Sequence, residues 1–269
     1  MSSFNEQADR EKVRNAQAVS KYAGNMQVGA YGWLHPSWQV AFYPEDLPQD
    51  WMLSYYSNEL NTVMVPADYW YEGSGFDCES WLNDIHDDFS FYVECPEQLL
   101  VSEANIDTLL TDGSGFSVFF RQMESLRQHL AGVVITGIQS EYSGSNPVAL
   151  AKLQAISGLT DLFSYNEFQG APCRAIWLRE ENGSSRGEMS FISQEASSAT
   201  SLSTPLAVFD DDLRYLRETR PRIERFASQL AGGCNAVGCV SPPTIIVKHE
   251  ALKASDLIKF RSLIEIMGL

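Results

Sequence analysis

The chain has 269 residues and a formal net charge of −16, with 44% hydrophobic and 12% aromatic residues. This composition supplies the apolar core of one folded domain and excludes an intrinsically disordered chain. The negative charge repels phosphate backbones, and no long run of lysines and arginines offsets it. Nucleic-acid binding is therefore not expected.

Cysteine usage and hydropathy indicate the cellular compartment of the protein. Its five cysteines lack paired spacing, which indicates free thiols in a reducing compartment. The charged N-terminus has no apolar core like that of a signal peptide, and no apolar run approaches the ~20 residues of a membrane span. We therefore expect a cytoplasmic protein that does not contact membranes.

The stretch from Gln27 to Pro44 predicts the first unit of a parallel barrel. Residues 27–31 have the composition of a short strand, and the loop after them carries large amphipathic side chains. A strand whose carboxyl end runs into such a loop is typical of the first βα unit of a barrel enzyme. If the protein has a site, this loop is expected to lie at it.

Apolar patterns of strand and helix alternate along the rest of the chain. Strands are predicted over residues 27–31, 61–65, 89–95, 132–138, 175–178, 188–193 and 206–209, with the eighth at 236–240 or 244–247. Helices are predicted over residues 2–24, 48–60, 78–85, 116–130, 149–159, 210–230 and 257–267. This order predicts an α/β fold, a single irregular (β/α)8 TIM-type barrel over residues 27–269. Residues 1–26 are expected to form a helical extension packed on it.

The opening stretch also resembles the start of a known family. Val28–Trp33 (VGAYGW), followed by Trp38 and by Phe42–Pro44 (FYP), is similar to the Ile-Gly-Thr-Ser-Gly-Trp and Phe-Tyr-Pro pattern of the YecE-like family, domain of unknown function 72. The similarity continues to about Pro96. It implies an irregular TIM-type barrel over nearly the whole chain, and it implies no established activity.

Several polar positions of the family pattern carry other residues in this sequence. A glutamate of the second strand is replaced by Met64, a following asparagine by Pro66, and a lysine of the third strand by Glu94. An arginine of the fifth strand is matched by Arg179. The resemblance therefore implies a barrel whose mouth lacks most of the family's polar residues, and a member that does not use them for catalysis.

Candidate catalytic groups are sought at the carboxyl ends of the strands, where barrel enzymes place them. Titratable residues at or just past predicted strand ends are His35, Asp68, Glu94, Glu141 and Arg179. His35 and Asp68 could form an acid–base pair, and Glu94 and Arg179 an ion pair across the mouth. Two plainer alternatives stay open: His35 caps loop backbone beside a tryptophan, and the ion pair is only structural.

Large aromatic side chains follow the first two strands, and they form the candidate ligand-binding set. They are Tyr31, Trp33, Trp38, Tyr69 and Trp70. We expect them to converge on the mouth, where some would close the barrel top. The others would form a stacking platform for a sugar, a base or a peptide.

The acidic run Asp210–Asp212 has the composition of a metal cluster, but acids are also expected where a helix begins. We interpret the run as a helix start and predict no metal site and no cofactor.

Two functions follow from these patterns. The first is a non-catalytic or altered barrel that binds a small molecule or a protein partner at its mouth. The second is an active hydrolase or isomerase that uses His35, Asp68, Glu94 and Arg179 as a replacement set. Geometry separates them, because an enzyme needs these groups within hydrogen-bond reach around a pocket.

Overall fold

The computed structural model describes residues 26–39, 41–71, 78–101, 107, 109–110, 113–136, 146–165, 173–178, 206–233 and 242–269. Its described strand segments form one parallel sheet: β1 (Gln27–Tyr31), β2 (Thr62–Val65), β3 (Ser90–Pro96), β4 (Leu130–Thr136), β5 (Leu162–Ser164), β6 (Cys173–Ala175), β7 (Trp177–Leu178), β8 (Leu206–Phe209) and β9 (Thr244–Val247). The described helices are α1 (Met52–Ser57), α2 (Asp68–Tyr71), α3 (Cys78–Asn83), α4 (Glu97–Val101), α5 (Gly115–Ser125), α6 (Pro147–Ser157), α7 (Leu216–Gly233) and α8 (Ala254–Ile266), with 3-10 turns at Pro36–Trp38 and Gln49–Trp51.

The sheet closes on itself. Its strand order is β6-β5-β4-β3-β2-β1-β9-β8-β7, and only Ile176 separates β6 from β7 along the chain. The Ile176 N–H donates to the carbonyl of Ser164 at 3.1 Å. Residues 173–178 therefore act as one strand that pairs with β5 through its first half and with β8 through its second half. The result is an eight-stranded parallel barrel, as the sequence predicts.

Alternate side chains of the strands separate into an inner and an outer core, as the two-residue period of a strand requires. The inner cluster fills the barrel and contains Met64, Tyr92, Val134, Phe163, Ile176, Leu206, Val208 and Ile246. The outer cluster packs strands against helices. Because both faces are covered, the strands Thr62–Val65 and Thr244–Val247 are buried at every residue. Their continuous apolar runs are what a parallel barrel needs.

Close strand contact explains one glycine of the opening stretch. A Cβ atom at Gly29 would collide with the backbone carbonyl of Thr62 on the neighbouring strand β2. Glycine is therefore required where β1 approaches β2, and it is part of the Val28–Trp33 pattern.

Several predicted elements differ from the structure. The helix predicted to residue 130 ends at Ser125, and Leu130 already begins β4. The fifth strand is Leu162–Ser164, which the sequence analysis missed, so residues 175–178 belong to the sixth strand and not the fifth. Helix α7 begins at Leu216 rather than at residue 210. The missed strand has three residues, too few for an alternating pattern to be recognised. Of the two alternatives for the eighth strand, residues 244–247 form it.

Other predicted elements lie outside the described residues. They are the strand at 188–193 and the helix at 2–24, which is most of the predicted N-terminal extension. The described strands on either side of residues 188–193, β7 and β8, pair directly with each other. Within the described ranges, no helix has the length and apolar character needed to cross a bilayer.

Candidate functional site

Four inward-facing side chains meet at the carboxyl-terminal mouth of the barrel. Tyr31 ends β1, Glu94 lies near the end of β3, and Tyr165 and Lys248 directly follow β5 and β9. We call these four residues the mouth cluster. In a parallel barrel this is the end at which catalytic and binding groups are found.

Glu94 is the centre of the mouth cluster. Its side chain is buried, and its carboxylate accepts hydrogen bonds from the Tyr31 hydroxyl at 2.6 Å and from the Lys248 ammonium at 3.1 Å. The backbone N–H of Ala67, just past β2, donates to the same carboxylate at 3.3 Å. Three donors and one opposite charge therefore compensate for the removal of this carboxylate from water.

Lys248 connects the buried carboxylate to solvent. Its side chain is 39% exposed, and its ammonium lies 3.7 Å from the centroid of the Tyr31 ring. That distance is typical of a cation–π contact. Its backbone N–H is held by the carbonyl of Phe209 at 2.9 Å. Lys248 thus presents a cation at the mouth whose position is fixed by the Glu94 carboxylate and the Tyr31 ring.

The two tyrosines of the mouth cluster remain protonated at neutral pH. Burial raises the pKa of the Tyr31 phenol well above its usual range, and the Glu94 carboxylate raises it further. The same two causes raise the pKa of Tyr165. The Tyr31 hydroxyl donates its hydrogen bond to Glu94, whereas the buried Tyr165 hydroxyl has no hydrogen-bond partner among the described residues.

His35 and Asp68 do not form the predicted acid–base pair. The His35 ring stacks on Trp38 with centroids 4.3 Å apart, and burial lowers its pKa, although a hydrogen bond to the backbone of Tyr31 opposes this. Asp68 is exposed in the first turn of α2. Neither a hydrogen bond nor an ion pair joins these two described side chains. The structure therefore matches the alternative in which His35 packs beside a tryptophan in the loop.

The predicted partner of Glu94 is Arg179, which lies outside the described residues, as does Glu141. That ion pair stays a prediction. The described partner, Lys248, was not singled out from the sequence, although it follows a strand directly and the same strand-end rule applies to it. The rule could not be applied there because the sequence left two positions open for the eighth strand.

The aromatic set does not gather at the mouth. Trp33 is buried in the outer core with edge contacts to Tyr69 and Trp81, at centroid distances of 4.9 and 5.1 Å. Trp38 is fully buried there, and its indole N–H donates to the carbonyl of Leu252 at 2.8 Å. These rings cover the outside of the barrel because the loop after β1 folds over the outer core, where their large apolar area is removed from water.

The remaining members of the aromatic set divide in the same way. The Tyr69 hydroxyl accepts a hydrogen bond from the Leu34 N–H at 2.9 Å, and its ring packs against the outer core. The side chain of Trp70 is not among those described. Tyr31 alone of the described members of this set belongs to the mouth cluster, so the predicted stacking platform is not assembled from Trp33 and Trp38.

The acidic run at residues 210–212 is a turn before α7. The Asp211 carboxylate accepts from the Leu213 N–H at 2.9 Å and pairs with Arg222 at 2.7 Å. The Asp212 carboxylate accepts from the Arg214 N–H at 3.0 Å. These side chain-to-backbone bonds are the usual role of aspartate in turns. In the part of the chain that the structure describes, no group of three or more potential metal ligands is present.

A polar cavity of about 580 Å³ opens at the opposite, amino-terminal face. Its lining includes Arg174 of β6 and Asp161 before β5, which form an ion pair at 3.1 Å. It also includes Gln27 and Ser90, which are joined by a hydrogen bond of 3.0 Å. This cavity therefore lies away from the mouth cluster, on the face that in such barrels contributes stability.

Comparison with known proteins gives the family. A family model described as protein of unknown function DUF72 matches residues 27–162, which is half of the chain. The chain belongs to the DUF72 family. No curated protein matches this DUF72 family member.

Solved structures of other DUF72 family proteins are similar to this chain. One from Thermotoga maritima has 14% sequence identity and a TM-score of 0.48, with 90% of this chain and 99% of that chain covered. One from Enterococcus faecalis has 12% identity and a TM-score of 0.49, with 92% and 99% covered.

Proposed function

We propose that this DUF72 family member is a small-molecule-binding barrel whose site is the mouth cluster. The supporting observation is the half-exposed Lys248 ammonium, fixed 3.1 Å from the buried Glu94 carboxylate and 3.7 Å from the Tyr31 ring centroid. A cation held in place by its neighbours loses little conformational freedom when a ligand arrives. Binding groups preorganised at the end of a barrel favour a small ligand.

The enzymatic alternative has less support. A hydrolase or isomerase of the predicted type needs His35 and Asp68 within hydrogen-bond reach of each other or of a shared substrate. His35 instead stacks on Trp38 and faces the outer core. Within the mouth cluster, Glu94 already accepts three hydrogen bonds, so it is better suited to orient Lys248 than to take a proton from a substrate.

A protein partner is also less well supported than a small molecule. In the mouth cluster, Tyr31 and Tyr165 pack against the inner cluster, and the Glu94 side chain is buried. A protein surface would reach them only with a protruding side chain. Large exposed apolar side chains of the described residues, such as Trp51, Tyr215 and Ile266, lie on elements outside the mouth cluster.

Native mass spectrometry of freshly purified protein, with the denatured mass as reference, tests the proposal. We expect the native protein to carry the added mass of a small molecule. The double variant Glu94→Gln/Lys248→Met, which removes both charges of the mouth, should lack it, whereas Arg174→Met at the amino-terminal face should keep it. A wild-type protein with no added mass would contradict the proposal and direct the search to protein partners.

A further inference from the structure

We infer that the ligand of the mouth cluster carries a carboxylate, whose two oxygens are held by the Lys248 ammonium and the Tyr165 hydroxyl. This inference rests on the proposed function and specifies the chemical class of its ligand. Two donors of the mouth cluster can still donate hydrogen bonds to a ligand, unlike the Tyr31 hydroxyl, which already donates to Glu94.

Tyr165 is the first of these donors. It packs against the inner cluster, and its buried hydroxyl has no acceptor among the described protein groups. Leaving a buried hydroxyl without a partner costs about 1–3 kcal/mol. The Thr62 hydroxyl is also without a partner, but it begins β2 at the opposite end of the strand. Among the described residues, the unpartnered hydroxyl that belongs to the mouth is that of Tyr165.

Lys248 is the second donor. One of its three N–H groups is used by Glu94, and the ammonium is 39% exposed. Lys248 follows β9 and Tyr165 follows β5, and these strands lie three positions apart in the ring of eight. Their side chains therefore approach the barrel axis from different sides. In the arrangement that we infer, the carboxylate lies between them, near the axis.

Charge argues for a carboxylate rather than a phosphate. Glu94 and Lys248 neutralise each other, so the mouth cluster has no excess positive charge to receive a dianion. Asp68, whose charge also raises the pKa of Tyr31, adds a negative charge nearby. A monoanion with two oxygens can accept one hydrogen bond from each donor at a smaller electrostatic cost. A protonated amine offers no hydrogen-bond acceptor to either donor.

A matched pair of probes tests this inference: acetate and its neutral isostere acetamide, measured by saturation-transfer NMR at constant ionic strength. We expect acetate to bind the wild-type protein several-fold more tightly than acetamide. Tyr165→Phe should weaken acetate binding by about five-fold, the effect of one lost hydrogen bond. Tyr92→Phe, which alters a deeper hydroxyl of the same barrel lining bonded to Thr244, is the control and should leave acetate binding unchanged.

The outcomes separate this inference from the proposed function. Equal binding of acetate to the wild type, Tyr165→Phe and Glu94→Gln/Lys248→Met would show adventitious surface binding and overturn the inference. Tighter binding of inorganic phosphate than of acetate, or a co-purified neutral molecule lost in the double variant, would overturn the carboxylate assignment while the mouth remains a binding site. If neither a co-purified molecule nor any probe binds at the mouth, both proposals fail.

Discussion

At the carboxyl end of the barrel the Glu94 side chain is 5% exposed and accepts three hydrogen bonds, whereas at the amino end the Asp161–Arg174 pair is 31% and 20% exposed beside a cavity of about 580 Å³. The amino end has a cavity beside a charged pair that is partly solvated and complete. At the mouth, the Glu94 carboxylate is the more deeply buried group, and among the described residues the Tyr165 hydroxyl there has no acceptor.

The difference shows that the two ends of one barrel can depend on their charged pairs to different extents. A partly solvated ion pair can lose a partner and be rehydrated, so little depends on it. A buried carboxylate that loses its partner keeps its charge where water cannot reach it. Substitutions at the mouth should therefore lower the free energy of unfolding more than substitutions at the amino end. We give the expected effects from the largest to the smallest.

Removal of Lys248 is expected to have the largest effect. Lys248→Met leaves Glu94 buried without its opposite charge, and we expect the free energy of unfolding to fall by about 3 kcal/mol, the low end for a broken buried pair because the lysine is 39% exposed. Arg174→Met at the other end should cost about 1 kcal/mol or less. Urea unfolding of both variants measures the difference.

A rescue variant checks the cause of that loss. Adding Glu94→Gln to Lys248→Met removes the uncompensated charge while keeping an acceptor for the Tyr31 hydroxyl, so most of the stability should return. Equal losses for Lys248→Met and Arg174→Met would contradict the comparison between the two ends.

Loss of the Tyr31 hydroxyl is expected to come next. Tyr31→Phe removes a 2.6 Å hydrogen bond to a buried carboxylate, and such charge-assisted bonds contribute about 2 kcal/mol. The matched control is Tyr43→Phe, which removes a buried 2.7 Å bond to the neutral carbonyl of Trp33 and should cost about 1 kcal/mol. Chemical denaturation measures the loss of stability in the two variants. Similar losses would mean that the negative charge of Glu94 does not strengthen its hydrogen bond with Tyr31.

The strand pattern of the fold could be predicted where the chain is apolar on both faces. Residues 63–65 and 245–247 are continuous apolar runs, and both lie in strands buried at every residue. Leu162–Ser164 could not be found, because three residues give no period to measure. The closing strand at residues 173–178 pairs first with β5 and then with β8, and this change of partner depends on the closed sheet and not on the strand's own residues.

The site could be predicted only in part, for a similar reason. Glu94 could be predicted because it lies at the carboxyl end of a strand whose alternating pattern is clear in the sequence. Lys248 was missed because the sequence allowed two positions for the strand before it. The prediction placed Trp33 and Trp38 at the mouth, but they lie in the outer core. An aromatic residue after a strand looks the same in the sequence whether its loop covers the mouth or the outer core.

Removal of the Tyr165 hydroxyl should act in the opposite direction from the other tyrosine substitutions. Tyr165→Phe deletes a buried hydroxyl with no acceptor among the described residues, so the unliganded protein should keep its stability or gain up to about 1 kcal/mol. Tyr92→Phe deletes a buried bond to the Thr244 hydroxyl and should cost about 1 kcal/mol. A thermal-unfolding comparison in which Tyr165→Phe lost more than Tyr92→Phe would show that the Tyr165 hydroxyl is already satisfied within the protein.

The smallest effect concerns His35, which lies beside the mouth but packs into the outer core. Burial lowers its pKa below the ordinary value of 6.5, so the unfolded chain binds a proton at His35 more readily than the folded protein does. Stability contributed by this group is therefore complete above about pH 6.5 and is lost as the pH falls from there towards the lowered pKa. Urea unfolding of the wild type and His35→Gln between pH 5.5 and 7.5 should show a shallower decline for the variant. Parallel declines would mean that the stacked ring on Trp38 accepts a proton as easily as a free histidine, and that the buried Nε2 has water or a base within reach.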